Sequence, residues 1–259
     1  MIAQVNTPRQ RQRFLNACRG KLCCGATLPL ALQLLGKAQP GRFFAGPTLA
    51  LDIGGRTAWA AGHANPEELA SFLNFCGCRA VILDEVECPP PVGWQKTCDH
   101  TIFGLAAGEQ LPLPAQTEAQ KALWDSLTFV EDPASGPVAE NLFPDRPARR
   151  DDFYSELCTK RSRGKALVWT LEQGGNIVCT VGAYALCNGQ AYMACGQTAE
   201  ALRGQRVGGR LIVQMANALS AQGDQPVFLC SPERVHFYTQ LGFHPLGTLA
   251  RYESPIGKD

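Results

Sequence analysis

The stretch from Gly196 to Leu219, GQTAEALRGQRVGGRLIVQMANAL, limits what this chain can fold into more than any other. A strand-like run, Ala191–Cys195, leads into a glycine-bearing loop, and the loop opens a helix. The helix shows in Val207, Leu211, Ile212, Met215 and Leu219, which recur at helical spacing. Gly204, Gly208 and Gly209 leave the backbone bare around the first turn. Bare N–H groups at the positive end of a helix dipole make an anion site. Arg203, Arg206 and Arg210 add donors that match phosphate oxygens. The spacing excludes two familiar phosphate loops. A Walker loop ends in Gly-Lys-Ser/Thr, which Gly208-Gly209-Arg210 does not supply, and a dinucleotide fingerprint needs Gly-x-Gly-x-x-Gly.

The segment after this helix narrows the possibilities. Pro226–Cys230 (PVFLC) is an unbroken buried-strand run. In the next segment, SPERVHFYTQLGFHPLG, Ser231 reads as a helix cap with Pro232 in the first turn. Phe237, Tyr238 and Leu241 face the core, Gly242 ends the helix, and Phe243 begins another strand.

Strand, Arg-x-x-x-x-Gly loop, helix, strand and short helix with Phe-Tyr-x-x-x-Gly-Phe together resemble the GNAT superfamily of acyl-CoA-dependent N-acyltransferases. That family's loop reads Gln/Arg-x-x-Gly-x-Gly/Ala. Here Arg203-Gly204-Gln205-Arg206-Val207-Gly208 matches at Arg203 and Gly208 and departs at Arg206, where the family usually has Gly. Where the family often has Asn-x-x-Ala, this chain has Ser231 and Arg234. The resemblance is strong over residues 190–247 and looser back to about 150.

The resemblance implies an α/β fold: a central mixed β-sheet with helices on both faces. It implies acetyl-CoA or another acyl-CoA as donor, with Cys195, Gln197, Arg203, Gly204, Gln205, Arg206, Val207, Gly208, Gly209, Arg210 and Ser231 about it. Direct transfer to a primary amine, on a small molecule or a peptide, would then occur in a ternary complex. An ammonium must first lose a proton to attack, and the thioester oxygen gains charge that a backbone N–H at the end of Ala191–Cys195 would stabilise. Tyr238 stands where the family often places the acid that protonates the leaving thiolate. Glu172 and Glu200 are the nearby carboxylates, and the base is left unassigned. Phe153, Tyr154 and Leu157 could wall the acceptor site or pack on the sheet. A GNAT-like module that senses CoA without turnover is the alternative, and a homodimer is allowed.

Organisation along the chain suggests two domains, 1–108 and 141–259, joined by a Pro-rich connector, 109–140, that carries a helix near Gln116–Ser126. In the first part, Asn6 or Thr7 caps a helix with Pro8 in its first turn, and residues 26–36 form a second helix. Arg42–Ala45, Thr48–Ile53 and Thr57–His63 read as strands, the last two joined across Gly54-Gly55. Asn65 caps a helix to about Cys76, with Leu69, Phe72, Leu73 and Phe75 as its apolar side, and Ala80–Leu83 is a short buried strand. Asp151–Arg161 is helical in the second part, followed by strands Ala166–Leu171 and Ile177–Leu186. Both parts run helix, hairpin, strand, helix, strand, which suggests a degenerate GNAT-like first half, although no loop there is shaped for a phosphate.

Composition trims the functional classes. With 24 Lys+Arg against 23 Asp+Glu, nothing is basic enough to argue for nucleic acid or a membrane surface. The longest apolar run, Ala26–Leu35, is far short of the ~20 residues needed to span a bilayer, and it lacks a cleavage site, so cytoplasmic residence is the expectation. The 12 cysteines lack Cys-x-x-Cys spacing and sit among apolar residues, so they read as buried thiols rather than as a disulfide scaffold or zinc site. The 4 histidines show no metal spacing either.

Overall fold

In the computed structural model, which describes residues 1–255, the chain divides into two compact units. The first comprises residues 1–103, 229–236 and the stretch from Pro245 onward; the second comprises 104–228 and 237–244.

The first unit is built from β1 (Ala3–Gln4), α1 (Pro8–Cys18), α2 (Cys24–Leu35), β2 (Phe43–Ala45), β3 (Thr48–Gly54), β4 (Thr57–His63), α3 (Pro66–Phe75), β5 (Ala80–Leu83) and β6 (Gln95–Gly104). The chain's last strand, β12 (His244–Glu253), belongs with them, and the strand order is β1-β2-β3-β4-β5-β12-β6. Thr7 caps α1: its hydroxyl accepts from the Gln10 amide, while the Gln10 side chain accepts from the Thr7 amide at 2.9 Å. The β3–β4 hairpin turns at Gly55, whose φ is +59°. In α3, Leu69 and Leu73 are buried, whereas Phe75 is 89% exposed and departs from the expected apolar side. Phe75 follows Leu73 by two positions, about 200° round the helix from it, whereas Phe72 and Cys76 complete the packed stripe with Leu69 and Leu73. Gly62 has φ +87°, and a Cβ there would overlap the Thr48 carbonyl oxygen.

The second unit holds α4 (Glu118–Asp125), β7 (Thr128–Val130), α5 (Ser135–Leu142), α6 (Pro147–Arg161), β8 (Leu167–Gln173), β9 (Asn176–Cys187), β10 (Gln190–Thr198) and α7 (Val207–Ala221), with β11 (Gln225–Cys230) up to Phe228 and α8 (Val235–Gln240) from Phe237. Its strands run in the order β11-β10-β9-β8-β7. The Pro-rich stretch expected to hold one helix carries more: β7 pairs with β8, and α5 packs in the same cluster as α6 through Val138, Ala139, Phe153 and Leu157. Three residues of strand and eight of helix are too short to stand out among prolines, and tertiary packing supplies what local propensity lacks. Residues 104–117 lie along α7, fixed by Asn217, which exchanges hydrogen bonds with the Leu111 backbone (2.9 and 2.8 Å), and by Ser220, whose hydroxyl donates to the Ala106 carbonyl at 2.9 Å.

Both units use the same device, a short parallel strand pair flanked by antiparallel strands. In the first unit β4 runs parallel to β5 and antiparallel to β3; in the second β10 runs parallel to β11 and antiparallel to β9. Each parallel pair keeps register for three residues, ending at Trp59↔Ile82 and at Tyr192↔Val227. Gly62→Ala should lower stability by more than about 2 kcal/mol, combining left-handed strain with a backbone overlap. A urea unfolding midpoint that does not move would show that β4 relaxes without its glycine.

Candidate functional site

The site is created where β10 leaves β11. Beyond Tyr192 the parallel ladder stops, although β10 continues to Thr198. On its other side β10 stays paired to β9, with register shifts between Tyr192 and Met193 and between Ala194 and Gln197. Such bulges bend and twist the bulged strand. Cys195 lies in the second bulge with φ +53°, a left-handed value rare for a side-chain-bearing residue. Its thiol packs against the cluster holding Phe153, Leu157 and Tyr184. Burial pushes the Cys195 thiol up, against the pull of Arg149 and Lys160, so it stays protonated at neutral pH.

Past Thr198 the chain makes a 3-10 turn at Glu200–Leu202 and then reaches α7. The Arg203 amide donates to the Glu200 carbonyl and the Gln205 amide to that of Leu202. Among the described residues no hydrogen bond engages the amides of Gly204, Arg206, Val207, Gly208 or Gly209. The Arg210 amide, expected to join this group, is already bonded to the Arg206 carbonyl at 3.0 Å, because it is the first residue four positions into the helix. Arg206 is the residue before the helix and has φ +62°, ψ +5°. That left-handed backbone favours glycine, which is the residue the resemblance expects at this position.

Gly208 and Gly209 answer to packing as well. A Cβ on Gly208 would overlap the Thr198 hydroxyl, so the first turn of α7 rests directly on the end of β10. A Cβ on Gly209 would meet Leu241 at 3.0 Å and Phe237 at 3.7 Å. Bare backbone at this helix start is thus forced by close neighbours on both sides.

The arginines are engaged by the chain itself. Arg203 Nε donates to the Thr198 carbonyl (3.2 Å) and Arg206 Nη1 to the Ala115 carbonyl (2.6 Å). Arg210 Nη1 donates to Gln116 Oε1 (2.8 Å), and its guanidinium lies 4.9 Å from the centre of the Trp124 ring. Arg206 and Arg210 therefore pin the 115–124 segment beside the loop, while Arg203 braces the loop against β10. Gln197 Nε2 donates to the Asn141 carbonyl at 3.2 Å, and Gln205 is exposed.

Tyr238 sits half-buried in α8 among aromatic rings, 4.5 Å from Phe228, 5.0 Å from Phe237 and 6.3 Å from Phe243 between centroids. Phe237 and Leu241, expected in the core, are exposed and half-buried respectively; a six-residue helix cannot bury a full face. Gly242 closes α8 with φ +91°, and the Phe243 amide reaches back to the Tyr238 carbonyl. Ser231 stands at the start of a 3-10 turn in the first unit, but its hydroxyl bonds to the Glu233 carboxylate instead of capping. Glu200 is exposed, and Glu172 is opposite Thr128 at the β7 edge. Tyr154 is 48% exposed, while Phe153 and Leu157 are buried against Tyr184 and Val168.

One polar group belongs to none of the sequence motifs. Tyr184 lies inside the apolar run of β9, covering the space over Gly182, and its hydroxyl is buried with no partner among the described residues. Burial pushes its phenol well above the ordinary value, so it stays protonated. The Thr170 and Thr180 hydroxyls, register partners on β8 and β9, are likewise buried and unpartnered. A tyrosine amid small residues, VGAYALC, is the signal that could have flagged it.

No protein-family profile matches the chain, and no curated protein matches it in sequence. Solved structures do match. A GCN5-related N-acetyltransferase from Sphaerobacter thermophilus aligns over 97% of this chain and 94% of its own, at 13% identity and TM-score 0.63. A tandem GNAT protein from the clavulanic acid biosynthesis pathway, in a structure without acetyl-CoA, aligns over 100% and 99%, at 12% identity and TM-score 0.62. A GCN5-related N-acetyltransferase from Kribbella flavida aligns over 90% and 96%, at 16% identity and TM-score 0.60. The chain thus has the GNAT fold, in two domains. Among the described residues no helix is long and apolar enough to cross a membrane, and no group of three or more His, Cys, Asp and Glu could hold a metal.

Arg206→Gly should raise stability by up to about 1 kcal/mol, because relief of left-handed strain outweighs one exposed hydrogen bond to Ala115. A lowered thermal midpoint would mean that pinning the 115 segment is the larger effect.

Proposed function

We propose that the second unit is an acyl-CoA-dependent N-acyltransferase, with acetyl-CoA as the favoured donor, acting on a primary amine of a small molecule or peptide. The observation that carries this reading is the run of unpartnered amides at Gly204 and Arg206–Gly209, next to the end of a strand that has parted from its neighbour. A pyrophosphate fits that chemistry: it needs several donors on one face, the positive end of a helix, and no side chain in the way. Gly208 and Gly209 let the start of α7 sit directly against Thr198, Leu241 and Phe237, which fixes where the loop amides stand. Arg203, braced on Thr198, adds positive charge at the loop.

Acyl-CoA supplies an activated thioester. The chain's own residues do the rest. The loop amides hold the phosphate end, and the unladdered edge of β10 from Met193 to Gln197 offers backbone groups to an extended arm and to the thioester carbonyl. Tyr238, a half-buried phenol, gives its proton to the leaving thiolate. The base that removes the ammonium proton is not assigned to a residue, and a water chain satisfies the same requirement.

One observation favours CoA sensing without turnover: Arg206 occupies the position where the resemblance expects glycine, and its side chain is tied to Ala115. A thiol-release assay across a panel of amines, run beside a calorimetric CoA titration, separates the readings. Thiol release with at least one amine supports the enzyme; saturable CoA binding with no release supports the sensor. Gly208→Asp should abolish CoA binding, because its side chain has no room beside Thr198 and displaces the start of α7 while adding like charge; retained binding in a variant with unchanged circular dichroism would contradict the pocket. Tyr238→Phe should lower turnover by about 10- to 100-fold with CoA affinity unchanged; unaltered turnover would remove Tyr238 from the mechanism.

A further inference from the structure

The first unit keeps the parted strand pair but not the anion site. Its β4 and β5 separate after Trp59↔Ile82, and Gly62, three residues on, has φ +87°; in the second unit Cys195 stands three residues past Tyr192 with φ +53°. At the next helix the chemistry is reversed. Pro66 removes an amide, the Asn65 side chain accepts from the Glu68 amide at 2.9 Å, and Glu67 and Glu68 fill the first turn of α3 with negative charge. Glu68 also takes the N-terminal ammonium at 3.1 Å. A pyrophosphate would meet carboxylates there.

A cavity of about 170 Å3 occupies the parting. Ala60, Ala61, Ile102 and Leu249 give it apolar walls, while Asp84, Glu87 and Lys21 give it charge. Lys21 pairs with Glu87 at 2.5 Å. Asp84 has no cationic partner among the described residues; one of its oxygens accepts from the Val86 amide at 3.0 Å. The lining therefore carries an uncompensated carboxylate beside hydrocarbon, in a space for about five waters. A carboxylate in a restricted, partly apolar space attracts a cation more strongly than one in bulk water. The apolar walls suit an alkyl chain, and with no multi-carboxylate or Cys/His cluster among the described residues, a bare metal ion lacks ligands.

We propose that this cavity binds a small organic cation, a primary ammonium on a short aliphatic chain, with Asp84 as its counter-charge, independently of CoA. The test is calorimetric titration of the full chain with n-butylammonium, using 1-butanol, butyrate and potassium ion as comparison probes. Saturable binding of n-butylammonium is expected, with none for the other three. Asp84→Asn keeps an acceptor for the Val86 amide and should weaken binding about tenfold or more. Lys21→Met releases the Glu87 carboxylate and should tighten binding about threefold. Thermal midpoints and far-ultraviolet circular dichroism confirm that each variant is folded. Absence of saturable n-butylammonium binding, equal binding of 1-butanol or potassium, or undiminished binding by Asp84→Asn overturns the proposal. If Asp84→Asn does not fold, Lys21→Met decides: no gain in affinity overturns it. A CoA titration unaffected by n-butylammonium is expected, so failure at either site is read separately.

Discussion

The second unit depends on a hydrogen-bond ladder that stops. After Tyr192↔Val227 the backbone of β10 no longer answers that of β11, and two register shifts against β9 absorb the divergence. Unpaired strand edges inside a protein demand partners. The bulge at Cys195 accepts a left-handed backbone to reach this arrangement, and the neighbouring cluster of Phe153, Leu157 and Tyr184 holds it in place. The same divergence carries the end of β10 to where α7 begins, so an open strand edge and an open helix start come to lie together.

Holding the helix start open is a matter of packing. Thr198 on one side and Leu241 on the other leave no room for side chains at Gly208 and Gly209. The loop is stiffened from outside by arginines that grip the preceding segment: Arg206 at Ala115, and Arg210 at Gln116 and Trp124. These bonds also give the long stretch from 104 to 117 its place along α7, where Asn217 and Ser220 fasten it. A segment without regular structure thereby acts as a brace, which is how a proline-rich stretch stays ordered.

The two units show one backbone device with two chemistries. Each has a short parallel pair and, three residues beyond it, a left-handed residue, yet one continues into bare amides and the other into Asn65-Pro66-Glu67-Glu68. Fold alone therefore says little about ligand; the first turn of the next helix decides its sign. In the second unit that turn is electropositive, while in the first the residual cavity is bounded by Asp84 and Glu87.

Local signals in the chain determined much of this. The Thr7 and Asn65 caps, the Gly54-Gly55 hairpin, the α7 periodicity and the glycine-bearing loop are each written in a few adjacent residues, because caps, turns and helix faces are short-range physics. Non-local matters were settled only on folding. The assignment of β12 to the first unit and the recruitment of β7 and α5 to the second come from strand pairing and burial between distant segments. Where Arg206 and Arg210 aim, and how the Tyr184 hydroxyl comes to be buried with no partner among the described residues, depend likewise on neighbours far away in sequence. A hydrogen bond or an apolar contact has two ends, and a sequence read locally shows only one of them.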